Sequence, residues 1–313
     1  MYTIKQASAR SGLSVPTVRV WERRYGVVRP ERTATGYRLY DEDAIARLLA
    51  MRYLVEGLGI RPSQAADQVI TSGAALEGLI QDARAWSARG ADGSKDPTGE
   101  LAPSAAKDAV AAFVGATRGL DLITMDRTLD EAFAAERFEA AMDHVVFPAL
   151  RTIGDGWADG SIDVAMEHAA SESVRRRLAR FYDATGNGGR APVVIVGLPP
   201  GSHHDLGVLA FAVAARRAGL AVLYLGANVP IESWVRAVAT TGASIAVLGV
   251  VTKTDVASAR RVLDTLKAIP DAPAVRLGGA SAGAVDGGGP ADLLPDRIED
   301  AVADVGRLVD PSA

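Results

Sequence analysis

The sequence predicts a multidomain chain, part α and part α/β: a winged helix-turn-helix head, a four-helix bundle and a doubly wound parallel sheet. Three observations carry that expectation. The first 40 residues hold eight Lys/Arg against Glu22 and Glu31, a balance of +6, whereas the remaining 26 basic and 36 acidic residues balance at -10. The middle of the chain repeats its apolar residues every three or four positions. The last third alternates apolar strands with amphipathic helices.

The size supports several cores, since 313 residues with 48% hydrophobic and 23% charged side chains can fill two or three packed domains. No cysteine is present, which excludes disulfides and thiolate metal sites. The start, MYTIKQASARSGLS, lacks the apolar core of a signal peptide, and the apolar run from Val208 to Ala215 stops at Arg216 and Arg217, short of a membrane span. The expectation is a cytoplasmic protein with no membrane partner.

In the head, expected over residues 1–75, TIKQASARSGLSVPTVRVWERRYG reads as two short helices joined at Gly12, with Ser14 as N-cap and Pro16 in the first turn of the second. Thr17, Arg19, Arg23 and Arg24 lie on the polar side of that second helix, and Val18, Trp21 and Tyr25 face inward. A turn at Pro30, a ribbon bent at Gly36 and a helix capped near Asp41 follow. An anionic polymer suits such a basic head. The stretches VPTVRVWERRYG and Arg32 to Tyr40 resemble the DNA-binding domain of the MerR family. That resemblance implies a double-stranded operator as partner, with Thr17, Arg19, Arg23 and Arg24 on the groove-entering helix and Arg32, Tyr37 and Arg38 of the wing on phosphates.

Residues 88–104, ARGADGSKDPTGELAPS, break the apolar pattern and read as a linker. The long dimerising coil usual in the family is thus short or missing. Residues 105–186 are helical by period, and four helices are the economical arrangement. From 190 to 310, APVVIVGLP, LAVLYLGAN, ASIAVLGVV and PAVRLGGASA read as parallel strands separated by helices, a Rossmann-like sheet whose ligands sit beyond the strands' carboxyl ends.

At that edge, after the first of these strands, stands SHHDLG, Ser202 to Gly207. It resembles the DxHxxG motif of cobalamin-binding domains, with His204 as the histidine, Asp205 after it and Gly207 closing the motif. The spacing extends the likeness: 41 residues separate Gly207 from Gly249, and 26 separate Val251 from Gly278 and Gly279, as in the family's later SxL and GG motifs. The resemblance implies a cobalt corrinoid, with His204 as lower axial cobalt ligand and Ser202, Asp205, Gly207, Gly249, Val251, Gly278 and Gly279 around it. Ser202 replaces the motif's acid, which predicts a differently tuned cobalt bond, and Gly249 replaces its serine, which leaves more room. His203 is the competing ligand.

In the helical region Trp157, nine intervening residues, then Glu167 and His168 resemble the signature of the bundle that caps adenosylcobalamin in light-sensing MerR-type repressors of the CarH and LitR group. By that likeness Trp157 packs over the adenosyl group, Glu167 bonds its ribose and His168 lines the pocket. The group's upper-ligand histidine, the residue after the tryptophan, is Ala158 here. Another ligand, with His168 the nearest and His144 a remote candidate, or water, would take its place, or light is not the signal. His144 reads as a packed bundle residue.

These readings together give a cobalamin-dependent, light-responsive, DNA-binding repressor, no enzyme, whose cofactor-dependent homo-oligomer, a dimer or tetramer, presents several heads to DNA. The alternatives are a corrinoid-carrying methyltransferase module, and a MerR-type regulator with a diverged site that senses another tetrapyrrole or a protein partner.

Overall fold

The computed structural model describes residues 1–32, 37–57, 60, 62–89, 101–185, 193–289 and 292–309. Two compact units result: Met1–Ser104 with Asp130–Phe138, and Ala105–Leu129 with Glu139–Ala313.

In the first unit β1 (Tyr2–Thr3) leads into α1 (Ile4–Ser11), which a capping box opens: Gln6 N donates to Thr3 Oγ1 at 3.4 Å, and Thr3 N to Gln6 Oε1 at 2.9 Å. α1 ends where Gly12 takes a left-handed φ of 69°. Ser14 then caps α2 (Val15–Val20) by accepting from Thr17 N at 3.2 Å, and Pro16 sits in its first turn. A π-turn, Trp21–Tyr25, prolongs this helix as far as Gly26. Val18 and Trp21 are buried beneath it and Tyr25 is half-buried. The wing consists of β2 (Glu31–Arg32) antiparallel to β3 (Arg38–Tyr40), and its bend at Gly36 falls outside the described residues. β1 pairs with the far side of β3, a strand that the sequence reading did not contain, because two residues display no period.

Asp41 opens α3 (Glu42–Arg52) by accepting from Ala44 N at 2.7 Å, and Leu48 and Met51 bury its inner face. α4 (Pro62–Thr71) and α5 (Leu76–Arg89) follow. The expected linker, 88–104, falls mostly on residues 90–100, outside those described; the flanking helices reach into it from both ends.

Four helical runs come next: α6 (Pro103–Arg118), α7 (Leu122–Ala135), a run built of α8 (Phe138–Ala141), a π-turn (Met142–Val146) and α9 (Phe147–Asp159), and α10 (Val164–Ala184). Glu136 and Arg137 interrupt what the period presents as one helix, and the rings of Phe133 and Phe138 stack across the break at 5.7 Å. The π-turn has a local cause: Pro148 has no N–H for the carbonyl of His144, four residues back.

The remainder is the parallel sheet. In chain order it runs β4 (Val193–Gly197), α11 (Leu206–Arg217), β5 (Ala221–Gly226), α12 (Ile231–Thr241), β6 (Ile245–Gly249), α13 (Val256–Ala268), β7 (Ala274–Gly278) and α14 (Ile298–Val309). Every neighbouring pair is parallel and the spatial order is β5-β4-β6-β7. Because the order reverses at β4, α11 and α14 pack together on one face and α12 and α13 on the other. Trp234 of α12, fully buried with Leu248, Leu263 and Leu277, anchors the second face. The order reverses between β4 and β6, whose carboxyl ends mark the place where such sheets take ligands.

Glu139 and Arg217 join α8 to α11 within the second unit, with Arg217 Nε 2.9 Å from Glu139 Oε1 and both side chains largely shielded from water. Removing the acid of a buried pair takes away one charged partner of the arginine while its desolvation remains. Glu139→Ala is expected to cost about 3–5 kcal/mol in urea unfolding, and Glu139→Leu with Arg217→Met to recover most of it.

Candidate functional site

On the head, Arg19, Arg23 and Arg24 are exposed along the second helix, whereas Thr17 is half-buried with its hydroxyl 2.7 Å from that of Ser14. Arg24 lies over the Tyr25 ring at 5.5 Å. Arg32 and Tyr37 of the wing are exposed, Tyr37 by 73%. Arg38 is held differently. Its Nε stands 2.8 and 3.0 Å from the two carboxylate oxygens of Glu22, and the hydroxyl of Tyr40 donates to the same carboxylate at 2.9 Å. Burial, helped by that hydrogen bond, pushes the Tyr40 phenol above its ordinary range. The arrangement fixes the wing strand to the helix that presents the three arginines.

In the second unit, Trp157 lies on the last turn of α9 and Glu167 with His168 on the first turn of α10. The nine residues between them are a helical hairpin: Gly160 takes φ 81°, Ile162 N returns to Gly156 O at 2.9 Å, buried Ile162 plugs the turn, and Asp163 caps α10 through Met166 N at 2.8 Å. A tryptophan 57% exposed at such a tip is unusual for a side chain of its size. Glu167 accepts from the Ser171 hydroxyl at 2.6 Å; His168 points outward, with Nε2 3.7 Å from Glu167 Oε2. Ala158 is exposed beside Trp157, and His144 is half-buried in the π-turn.

Beyond the carboxyl end of β4 the chain makes a tight loop before α11. Gly201 N donates to Asn228 Oδ1 and Asn228 N to Ser202 O, each at 2.8 Å, with Asn228 in the left-handed region at φ 52°. The loop leaves His203 and His204 exposed and buries Ser202 and Asp205. Gly207 is exposed on the first turn of α11. Asp205 occupies the N-cap position of α11 yet makes no capping bond. Instead, Arg175 Nη1 of α10 donates to its Oδ2 at 2.8 Å, Arg175 Nη2 stands 2.7 Å from its Oδ1, and the Tyr224 hydroxyl of β5 donates to Oδ2 at 2.8 Å. Burial alone would raise this carboxyl; the donors and the charge of Arg175 outweigh it and hold the group below the usual range.

Gly249, Val251, Gly278 and Gly279 sit at or just past the ends of β6 and β7, at the same edge of the sheet. A Cβ on Gly279, where φ is 107°, would stand 2.7 Å from Val250 O, so only glycine lets these two segments run so close. Asp255, almost fully buried, accepts from Val251 N at 3.1 Å and Thr252 N at 2.8 Å and lies near the Ser202 hydroxyl, to which it makes no hydrogen bond. Arg175, Tyr224, Asn228 and Asp255 were missed by the sequence reading; Asn228, an asparagine following a strand, is the one whose residue type hinted at its role.

A family model described as "MerR HTH family regulatory protein" matches residues 2–68, and models described as "B12 binding domain" match 111–182 and 192–306. The HTH-type transcriptional repressor CarH of Myxococcus xanthus is 32% identical over 282 residues, 90% of this chain and 89% of that protein. The repressor CarA of the same organism is 30% identical over 72% of this chain and 68% of its own length. Among solved structures, the monomethylamine corrinoid protein of Methanosarcina barkeri superposes with a TM-score of 0.53 at 17% identity, covering 62% of this chain and 94% of that one, which shows a shared fold.

The room expected at Gly249 is not open: Gly249 is buried, and a Cβ there would lie 2.5 Å from Leu198 Cδ2 and 2.6 Å from Val208 Cγ1, so those two side chains already fill the space. Gly249→Ser is expected to lower unfolding free energy by about 1–3 kcal/mol, and adding Leu198→Val, which removes the nearer methyl, to restore part of it.

Proposed function

The chain belongs to the family of MerR-type transcriptional regulators with B12-binding domains that includes the CarH and CarA repressors, and on that premise we propose a repressor whose assembly on operator DNA is set by adenosylcobalamin and undone by light. The observation that carries the reading is the exposure of His204 directly beyond β4, at the point where the strand order reverses.

The residues suit a corrinoid. The exposed imidazole of His204 would hold the cobalt of a corrinoid, with His203 one position away as the competing ligand. Gly249, Val251, Gly278 and Gly279 line the strand ends at the same edge, and Ser202, near the Asp255 carboxylate, occupies the place of the motif's acid. When bound, adenosylcobalamin supplies a cobalt–carbon bond that green light breaks. Trp157 offers an apolar plate to the adenosyl side, Glu167 a carboxylate for ribose hydroxyls, and His168 a polar neighbour; Gly207 keeps the helix start clear.

On the head, Thr17, Arg19, Arg23 and Arg24 enter the major groove, and Arg32 and Tyr37 meet phosphates. Arg38, paired with Glu22, acts on the phosphates indirectly by orienting the wing. With Trp157 and Glu167 holding the adenosyl group, a dimer or tetramer would be favoured that presents several heads at once, which raises operator affinity through effective concentration. Without that group Trp157 and Glu167 would have nothing to hold, and the oligomer would be disfavoured.

Analytical ultracentrifugation tests this. The dark protein with adenosylcobalamin is expected to sediment as an oligomer and to fall apart after green light; a sedimentation coefficient indifferent to cofactor and light would refute it. Ala158 offers no ligand atom, so fresh adenosylcobalamin in the dark is expected to rebuild the oligomer, and Ala158→His to resist rebuilding.

A further inference from the structure

Helix α10 carries polar residues at four-residue intervals, Glu167, Ser171 and Arg175, on one stripe. At the amino end of that stripe Ser171 bonds Glu167; two turns on, about 12 Å along the axis, Arg175 grips Asp205. Asp205 is the residue directly after His204. Its carboxylate would ordinarily cap α11, the commonest use of aspartate at that position, but it forgoes that bond for Arg175 and Tyr224. Glu172 holds the same guanidinium from behind, 3.1 Å from Arg175 Nε. The sheet side is equally fixed, for Tyr224 belongs to β5 and its ring meets that of Tyr182 of α10 at 5.8 Å.

We propose that Arg175 is a positioning residue that clamps the His204 loop to α10, so that the placement of the helix bearing Glu167 and His168 sets the placement of the histidine. The two sides of the cofactor site are then joined through one carboxylate rather than sensed separately. Arginine suits this task because one guanidinium nitrogen donates to Oδ2 at 2.8 Å while a second stands 2.7 Å from Oδ1 as an ion pair without a hydrogen bond, a spread that the single ammonium of a lysine does not offer. The assignment of His204 as cobalt ligand rests on the preceding reading; the clamp itself does not.

Hydrogen–deuterium exchange on the full-length, corrinoid-free protein decides the matter. With Arg175→Ala, amides of the segment 199–209 are expected to exchange at least tenfold faster while those of β6 and β7 keep their wild-type rates, and Arg175→Lys, which restores the charge but not the fork, is expected to fall between. Asp205→Asn, reciprocally, is expected to speed exchange in α10 around residues 171–176. Wild-type exchange of 199–209 in Arg175→Ala would overturn the clamp. Should that variant not fold, Arg175→Lys decides by the same segment: faster exchange supports the clamp and unchanged exchange overturns it. A wild-type protein that takes up no adenosylcobalamin would count against the cofactor reading and leave this result untouched.

Discussion

A carboxylate buried beside an exposed histidine is the constraint around which the second unit is organised. Asp205 is 7% exposed, and a charge so placed is costly unless it is met by partners of opposite sign and by donors. Meeting it brings Arg175 from the helical region and Tyr224 from the neighbouring strand to one point. Those partners fix the loop between β4 and α11, and the loop in turn leaves His204 exposed where the strand order reverses. Further along the same interface Arg216 lies over the Tyr182 ring at 3.5 Å, and Arg217 pairs with Glu139. Three arginines thus do at the seam between helices and sheet what apolar side chains do within each layer, and they do it with direction.

The same logic recurs on a smaller scale in the head. Glu22, an acid in a basic segment, neutralises Arg38 and accepts from Tyr40, and that knot holds the wing strand against the helix that displays Arg19, Arg23 and Arg24. A surface meant for a polyanion needs its cations held at fixed spacing, since phosphate contacts set register before bases are read. Glu22 lowers the local charge by one, yet it orders the cations that remain.

Much of this was legible before any coordinates. Residue types with strong local preferences announced themselves: Gly12, Ser14, Pro16 and Asp41 mark helix ends, and the alternation of apolar strands with amphipathic helices gives the sheet its parallel order. Motif spacing placed His204, Gly249 and Gly279 on one edge because every strand of a parallel sheet ends on the same side. What stayed hidden had no period or local preference to show it. β1 is two residues long; the break at Glu136–Arg137 contains neither glycine nor proline; Arg175 is the first of three consecutive arginines, and nothing in SVRRRLAR says which one reaches across to Asp205. Such pairings depend on long-range packing, and so does the approach of Asp255 to Ser202. The identities of Trp157, Glu167 and His168 were plain in the sequence, but the reason for their spacing, a hairpin tip closed by Gly160 and Ile162, belongs to the fold.

Whether the second unit is a corrinoid site with His204 as cobalt ligand is read from the absorption spectrum of protein mixed with adenosylcobalamin in the dark and freed of excess cofactor. Retained alkylcobalamin bands of the histidine-ligated form are expected in the wild-type protein and in His203→Ala, and their loss or a shift to the histidine-free form in His204→Ala. A wild-type protein that emerges colourless, or a His204→Ala spectrum indistinguishable from wild type, would contradict that reading.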